Sequence, residues 1–146
     1  MLRQRVITAL VLLAILLPAL FASTPVPFIA LSVVAIGAAG WEWARLNGMP
    51  GAAAVATGVL CAVLCLVLWW SGAVGQALPG VWLAAAATWV LGGSWLLQRG
   101  VAGWPRLSRG LRWLLGVAVL CVAWLAMAQA RTVGVNPRGG EVERGV

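Results

Sequence analysis

Three cysteines, Cys61, Cys65 and Cys121, carry the most reactive side chains in the apolar part of this sequence. Cys61 and Cys65 are four residues apart, so they share one face if their segment is helical. Two thiols on one face could form a redox pair or hold a soft metal ion. A metal site needs further ligands, however, and buried thiols commonly act as small apolar packing groups. We therefore predict a packing role for all three, and no disulfide framework.

Carboxylates are scarce, because Glu42, Glu141 and Glu143 are the only acids and the chain has no His, Asp, Lys or Tyr. General acid–base pairs, nucleophile triads and metal sites rely on His and on clustered carboxylates. Glu42 is the one acid within an apolar run, which makes it a functional candidate. It also lies near the end of that run, three residues before Arg45, where an ion pair would satisfy it. We expect a structural role for Glu42, and we predict no catalytic residue and no metal ligand.

All ten positive charges are arginines, and the net charge is +7. Because they lie at the ends of apolar runs and form no stripe with stacking aromatics, they do not indicate nucleic-acid binding. Anionic phospholipid is the predicted partner. Four arginines lie in one connection, and guanidinium groups there could bind a lipid phosphate. The alternative is that they only hold the connection on the cytoplasmic side. These weak candidates for binding a lipid phosphate are Arg99, Arg106, Arg109 and Arg112.

The composition of the 146 residues places the chain in a membrane. Hydrophobic residues make up 63% and charged residues 9%, with a mean hydropathy of +1.01. A soluble domain needs a larger charged fraction, and a disordered chain needs low hydrophobicity, so both classes are excluded. We predict an all-α fold, a polytopic bundle of transmembrane helices.

Five apolar runs have about the length that crosses a bilayer, and tryptophans mark several of their ends. A cleavable signal peptide is the alternative for the first run, but no small-residue cleavage pattern follows it. Small residues four apart, such as Ala54 and Gly58 or Thr88 and Gly92, favour close helix approach. The polar, glycine-rich tail at 137–146 is predicted to be disordered. The predicted spans are 6–22, 26–44, 52–70, 81–97 and 113–130.

The distribution of arginines predicts the orientation. With a cytoplasmic amino terminus, the three inside segments of a five-span chain hold seven arginines and the two outside loops hold none. This is the bias that the positive-inside rule describes. The tail departs from it, because Arg131, Arg138 and Arg144 would lie outside.

Two segments carry a family resemblance. The opening Leu2-Arg3-Gln4-Arg5-Val6-Ile7-Thr8-Ala9-Leu10 and the later Trp41-Glu42-Trp43-Ala44-Arg45-Leu46 resemble bacterial phosphatidate cytidylyltransferases, also called CDP-diacylglycerol synthases. The resemblance extends to about Asn136. It implies an inner-membrane enzyme of phospholipid biosynthesis that transfers a cytidylyl group from CTP to phosphatidate and releases pyrophosphate. It also implies Mg²⁺ as a cofactor that neutralises phosphate charge.

The resemblance covers only the amino-terminal half of that family. The family's metal-binding carboxylates lie in its later half, so no catalytic residue can be carried over to this chain. We therefore expect the chain to be inactive alone, as a truncated or frameshifted product. The expected protein partner is either another copy of the chain, in a homo-oligomer, or a second chain that supplies the missing carboxy-terminal half. The alternatives are a non-enzymatic membrane protein, such as a transporter subunit or assembly factor, and a membrane redox protein that uses Cys61 and Cys65.

Overall fold

The computed structural model describes residues 2–99 and 107–135, and helices account for nearly all of this part of the chain. No strand occurs among these residues, which confirms the predicted all-α class. A short 3-10 turn at Ala73–Gly75 connects the third and fourth helices. The helices are α1 (Leu2–Phe21), α2 (Val26–Leu46), α3 (Gly51–Trp70), α4 (Pro79–Arg99) and α5 (Arg109–Val135).

Four of these helices are long and apolar enough to cross a bilayer, over Val26–Leu46, Gly51–Trp70, Pro79–Arg99 and Arg109–Thr132. The first helix contributes a shorter apolar stretch, Ala9–Phe21. Each helix covers one of the five predicted runs, and the exact span boundaries stay predictions. The predicted disordered tail at 137–146, with Glu141 and Glu143, lies outside the described residues, as does Arg106.

Two glycines allow the chain to reverse direction between α2, α3 and α4. Gly48, just after α2, and Gly72, just after α3, both have φ of +76°. Residues with a β-carbon rarely adopt this left-handed conformation, whereas glycine adopts it at little cost. The resulting tight connections make α2 and α3 antiparallel neighbours.

The backbones of helices α2 and α3 approach each other closely. A β-carbon built on Gly58 would lie 2.6 Å from the carbonyl oxygen of Gly37. One built on Gly40 would lie 2.7 Å from the sulfur of Cys61. Ala54, one turn before Gly58, is fully buried. The predicted close approach at Ala54 and Gly58 is therefore confirmed, because only small residues let two helix backbones come this near.

The corresponding prediction for α4 is wrong in the described part of the chain. Thr88 is exposed, and a β-carbon on Gly92 would meet nothing within 4 Å. None of the membrane-length stretch of α4 is buried. Small residues permit close approach, but a neighbouring helix must also be present.

Helix α5 packs across the α2–α3 pair and completes the core. Trp124 and Ala128 are fully buried, and Leu125 is nearly so. They contact apolar side chains of α2, α3 and the 3-10 turn, and α1 adds Ala19 at the periphery. The buried core cluster consists of Ile29, Val33, Ile36, Cys61, Cys65, Val74, Val117, Trp124, Leu125 and Ala128.

The packing at Gly58 predicts opposite effects for two Gly→Ala substitutions. Alanine favours a helix over glycine by about 1 kcal/mol, so Gly92→Ala, in open space, is expected to keep or raise thermal stability. Gly58→Ala drives a methyl group into the Gly37 carbonyl, and overpacking costs about 1–3 kcal/mol. We expect Gly58→Ala to lower the thermal unfolding midpoint in detergent. Equal midpoints for the two variants would contradict the observed packing.

Candidate functional site

One end of the bundle, here called the arginine end, consists of the last turns of α2, the first turns of α3 and the first turns of α5. Two indole hydrogen bonds hold these segments together. Trp43 donates from Nε1 to the carbonyl oxygen of Arg112 at 3.2 Å. Trp113 donates from Nε1 to the hydroxyl of Thr57 at 3.1 Å. The arginine end therefore contains Arg45, Arg109 and Arg112 on packed helices.

Glu42 makes an ion pair at this end. Its Oε1 lies 3.5 Å from Nη1 of Arg45, and both side chains are about half exposed, at 54% and 55%. The guanidinium carbon of Arg45 also lies 4.9 Å from the centre of the Trp41 ring. The ion pair with Arg45 compensates the charge of Glu42, as the sequence spacing suggested. The pair stabilises little, because exposed ion pairs are screened by solvent.

The arginines that the sequence offers for phosphate binding occupy different positions. Arg99 ends α4, exposed, with its guanidinium carbon 5.7 Å from the centre of the Trp95 ring. Arg109 begins α5 and is exposed, whereas Arg112 is partly buried one turn later. The buried Nε of Arg112 makes no hydrogen bond within the described residues. Arg109 and Arg112 are three residues apart and thus neighbours on the helix surface. Their role in lipid-phosphate binding stays a prediction.

The sequence places Trp43 at the end of an apolar run but does not show its packing role in the bundle. The indole ring of Trp43 occupies the position that a side chain on Gly116 of α5 would take. A β-carbon on Gly116 would overlap the indole nitrogen of Trp43. Glycine is therefore required at Gly116 for Trp43 to reach the carbonyl of Arg112. The signal in the sequence is Gly116 itself, a glycine flanked by apolar residues of α5, which is ambiguous without a partner.

The cysteines lie in the core rather than at a reactive surface. Cys61 and Cys65 are both fully buried. Cys121 of α5 is partly buried and packs against the same core cluster. All three are free thiols. Their burial among apolar side chains agrees with the predicted packing role.

The described residues do not fit a Mg²⁺ site. Among them, no group of three or more His, Cys, Asp or Glu side chains converges as metal ligands do. Glu42 is the one carboxylate available, and its partner Arg45 places a positive charge against any approaching cation. Mg²⁺ sites in enzymes of phosphate chemistry rely on carboxylates that face the substrate phosphates. No step of a reaction is therefore assigned to a metal on these residues.

Comparison with protein families identifies the chain. The sequence profile described as "Cytidylyltransferase family" matches residues 3–140. The chain belongs to the cytidylyltransferase family. The match spans all five helices, including Trp41, Glu42 and Trp43, and confirms the resemblance drawn from the sequence. Comparisons with curated proteins and with solved structures give no significant match. The apolar helices and the family together make this cytidylyltransferase relative a membrane protein of a nucleotidyltransferase family.

The contact between Trp43 and Gly116 predicts strong coupling between two substitutions. Gly116→Ala should displace the indole and lower the thermal midpoint, whereas Gly110→Ala, in open space, should not. In a Trp43→Ala background the same Gly116→Ala change should cost little, since the clash is gone. A double-mutant cycle measures this coupling, which we expect to exceed about 1 kcal/mol. Additive effects would contradict the contact.

Proposed function

We propose that this chain forms the helical membrane part of a phosphatidate cytidylyltransferase in the bacterial inner membrane. That enzyme transfers a cytidylyl group from CTP to phosphatidate, releases pyrophosphate and yields CDP-diacylglycerol for phospholipid biosynthesis. The observation that carries this proposal is the family match over residues 3–140. The Arg-x-Arg start and the Trp-Glu-Trp boundary resemble bacterial phosphatidate cytidylyltransferases in particular, and this resemblance favours phosphatidate as the substrate.

The arginine end supports the proposal through its charge. CTP and phosphatidate both carry phosphate groups, and CTP reaches the membrane from the cytoplasm. In the proposed orientation, with the amino terminus cytoplasmic, Arg45, Arg109 and Arg112 face that compartment. Clustered arginines raise the local concentration of anions and hold anionic headgroups near the surface. We assign them this attraction and no chemical step.

The chemistry itself needs more than these 146 residues contain. Phosphoryl and nucleotidyl transfer depend on neutralising charge on phosphate oxygens, commonly by metal ions that carboxylates hold. Mg²⁺ supplies the neutralising positive charge when it is bound. Of the three carboxylates in the chain, Glu42 is paired with Arg45, and Glu141 and Glu143 lie in a polar tail. We propose that the metal-binding carboxylates come from other polypeptide, either a carboxy-terminal half or a second chain.

Turnover by a fusion protein tests this proposal. We expect the purified chain, given CTP, phosphatidate and Mg²⁺, to form no CDP-diacylglycerol above background. The same chain, fused to the amino terminus of the later half of a bacterial phosphatidate cytidylyltransferase, should form it. This later half carries the metal-binding carboxylates and is called the Asp-bearing half here. Diacylglycerol, which lacks the phosphate, should give no product.

The Asp-bearing half alone serves as the control and should be inactive. Turnover by the 146-residue chain alone would contradict the proposed need for added carboxylates. A folded, membrane-inserted fusion without activity would contradict the enzymatic function and favour a non-enzymatic membrane protein.

The proposed orientation predicts which glycines can be labelled from outside the cell. Gly75 and Gly51 lie in open space at opposite ends of α3. With a membrane-impermeant maleimide and intact cells, Gly75→Cys should react, and Gly51→Cys should react only after permeabilisation. Both substitutions are made in a chain whose Cys61, Cys65 and Cys121 are replaced by alanine, and that cysteine-free chain is the blank. The reverse pattern would show that the amino terminus lies outside.

A further inference from the structure

A cleft opens at the end of the bundle opposite the arginine end, between α1, α2 and α5. It has a volume of about 410 Å³. Small-molecule sites commonly have volumes of about 300–1,000 Å³, so the cleft can hold part of a ligand. Its walls are apolar except for one guanidinium group. The lining residues are Leu20, Phe28, Met127, Ala130 and Arg131.

Arg131 is the one charged side chain at this end among the described residues. Its Nη2 donates a hydrogen bond to the carbonyl oxygen of Ala22, which fixes the guanidinium at the mouth of the cleft. Its Nε is buried and makes no hydrogen bond within the described residues. A partly desolvated cation is unfavourable unless an anion approaches it. The charge of Arg131 therefore favours an anionic ligand.

The position of the cleft along the helices indicates which anion it binds. Leu20, Phe28 and Arg131 all lie within a few turns of a helix end. The hydrogen bonds from Gln129 to the carbonyl oxygens of Ala73 and Gln76, at 3.1 and 2.9 Å, also place this part of α5 beside the α3–α4 connection. In a membrane-spanning bundle this is the level where the headgroups meet the acyl chains. An arginine at that level with apolar side chains beside it matches a phospholipid, whose phosphate and acyl chain are covalently joined.

We propose that this cleft binds one anionic phospholipid. Its phosphate accepts hydrogen bonds from Arg131, and one acyl chain lies along Leu20, Phe28 and Met127. The site lies at the end opposite Arg45, Arg109 and Arg112, so it is separate from the attraction proposed for the substrates. The lipid bridges α1 to α5, and α1 otherwise buries only Ala19 among its described side chains. This inference does not depend on the proposed enzymatic function.

Native mass spectrometry of the purified full chain tests the proposal, with phosphatidylglycerol and phosphatidylcholine as the two probes. We expect one phosphatidylglycerol to remain bound and phosphatidylcholine to bind more weakly. Arg131→Gln, which keeps the length of the side chain, should lower the affinity for phosphatidylglycerol about ten-fold, because hydrogen bonds between charged groups are strong. Arg144→Gln, which removes the same charge from the carboxy-terminal tail, is the matched control and should have no effect.

Two further measurements separate the acyl chain from the phosphate and from folding. Ala130→Leu keeps the charge but fills the cleft, and it should also weaken phosphatidylglycerol binding. Inorganic phosphate at millimolar concentration should not displace the lipid. Binding that survives both Arg131→Gln and Ala130→Leu would overturn the proposal. Equal loss with Arg144→Gln would show general attraction to basic residues. Displacement by inorganic phosphate would show a site for the phosphate alone. Either outcome would also overturn the proposal.

Discussion

The close approach of α2 and α3 at Gly58 is the constraint on which the remaining packing depends. The Gly37 carbonyl occupies the place where a side chain on Gly58 would begin, so the two backbones touch. In lipid there is little hydrophobic drive between helices, and van der Waals contact between small residues provides much of their association. The pair then presents one combined surface, formed by Ile29, Val33 and Cys65 among others, on which α5 packs.

Indole hydrogen bonds fix the position of α5 on that surface. Trp43 and Trp113 tie its first turns to α2 and α3, and Trp124 donates to the hydroxyl of Ser32 at 3.0 Å near its middle. Away from water, an N–H group without an acceptor costs several kcal/mol, so each indole favours one register. This fixed register places Arg109 and Arg112 at the arginine end, and it places Arg131 at the mouth of the lipid cleft.

The sequence predicted the helical class, because an apolar run of bilayer length satisfies its backbone hydrogen bonds in lipid by forming a helix. It also predicted that another helix approaches closely at Ala54 and Gly58, and that Glu42 pairs with Arg45. Both predictions follow from helical spacing. It could not show that Trp43 needs Gly116, because those residues are far apart in the chain and composition does not encode their meeting. It misjudged Thr88 and Gly92 for the same reason, since no helix covers them in the described structure. The cleft at Arg131 likewise requires three helices to be placed together.

Pulsed electron paramagnetic resonance on two spin-label pairs tests most directly whether α5 lies along α2 and α3 in this register. The pairs are Gly51→Cys with Gly110→Cys, and Gly75→Cys with Gly110→Cys, both in a chain whose native cysteines are replaced by alanine. Neighbouring helices predict a backbone separation of roughly 10–15 Å for the first pair. The rise of α5 predicts about 30 Å for the second. Similar separations for the two pairs, or a longer first distance, would contradict the account.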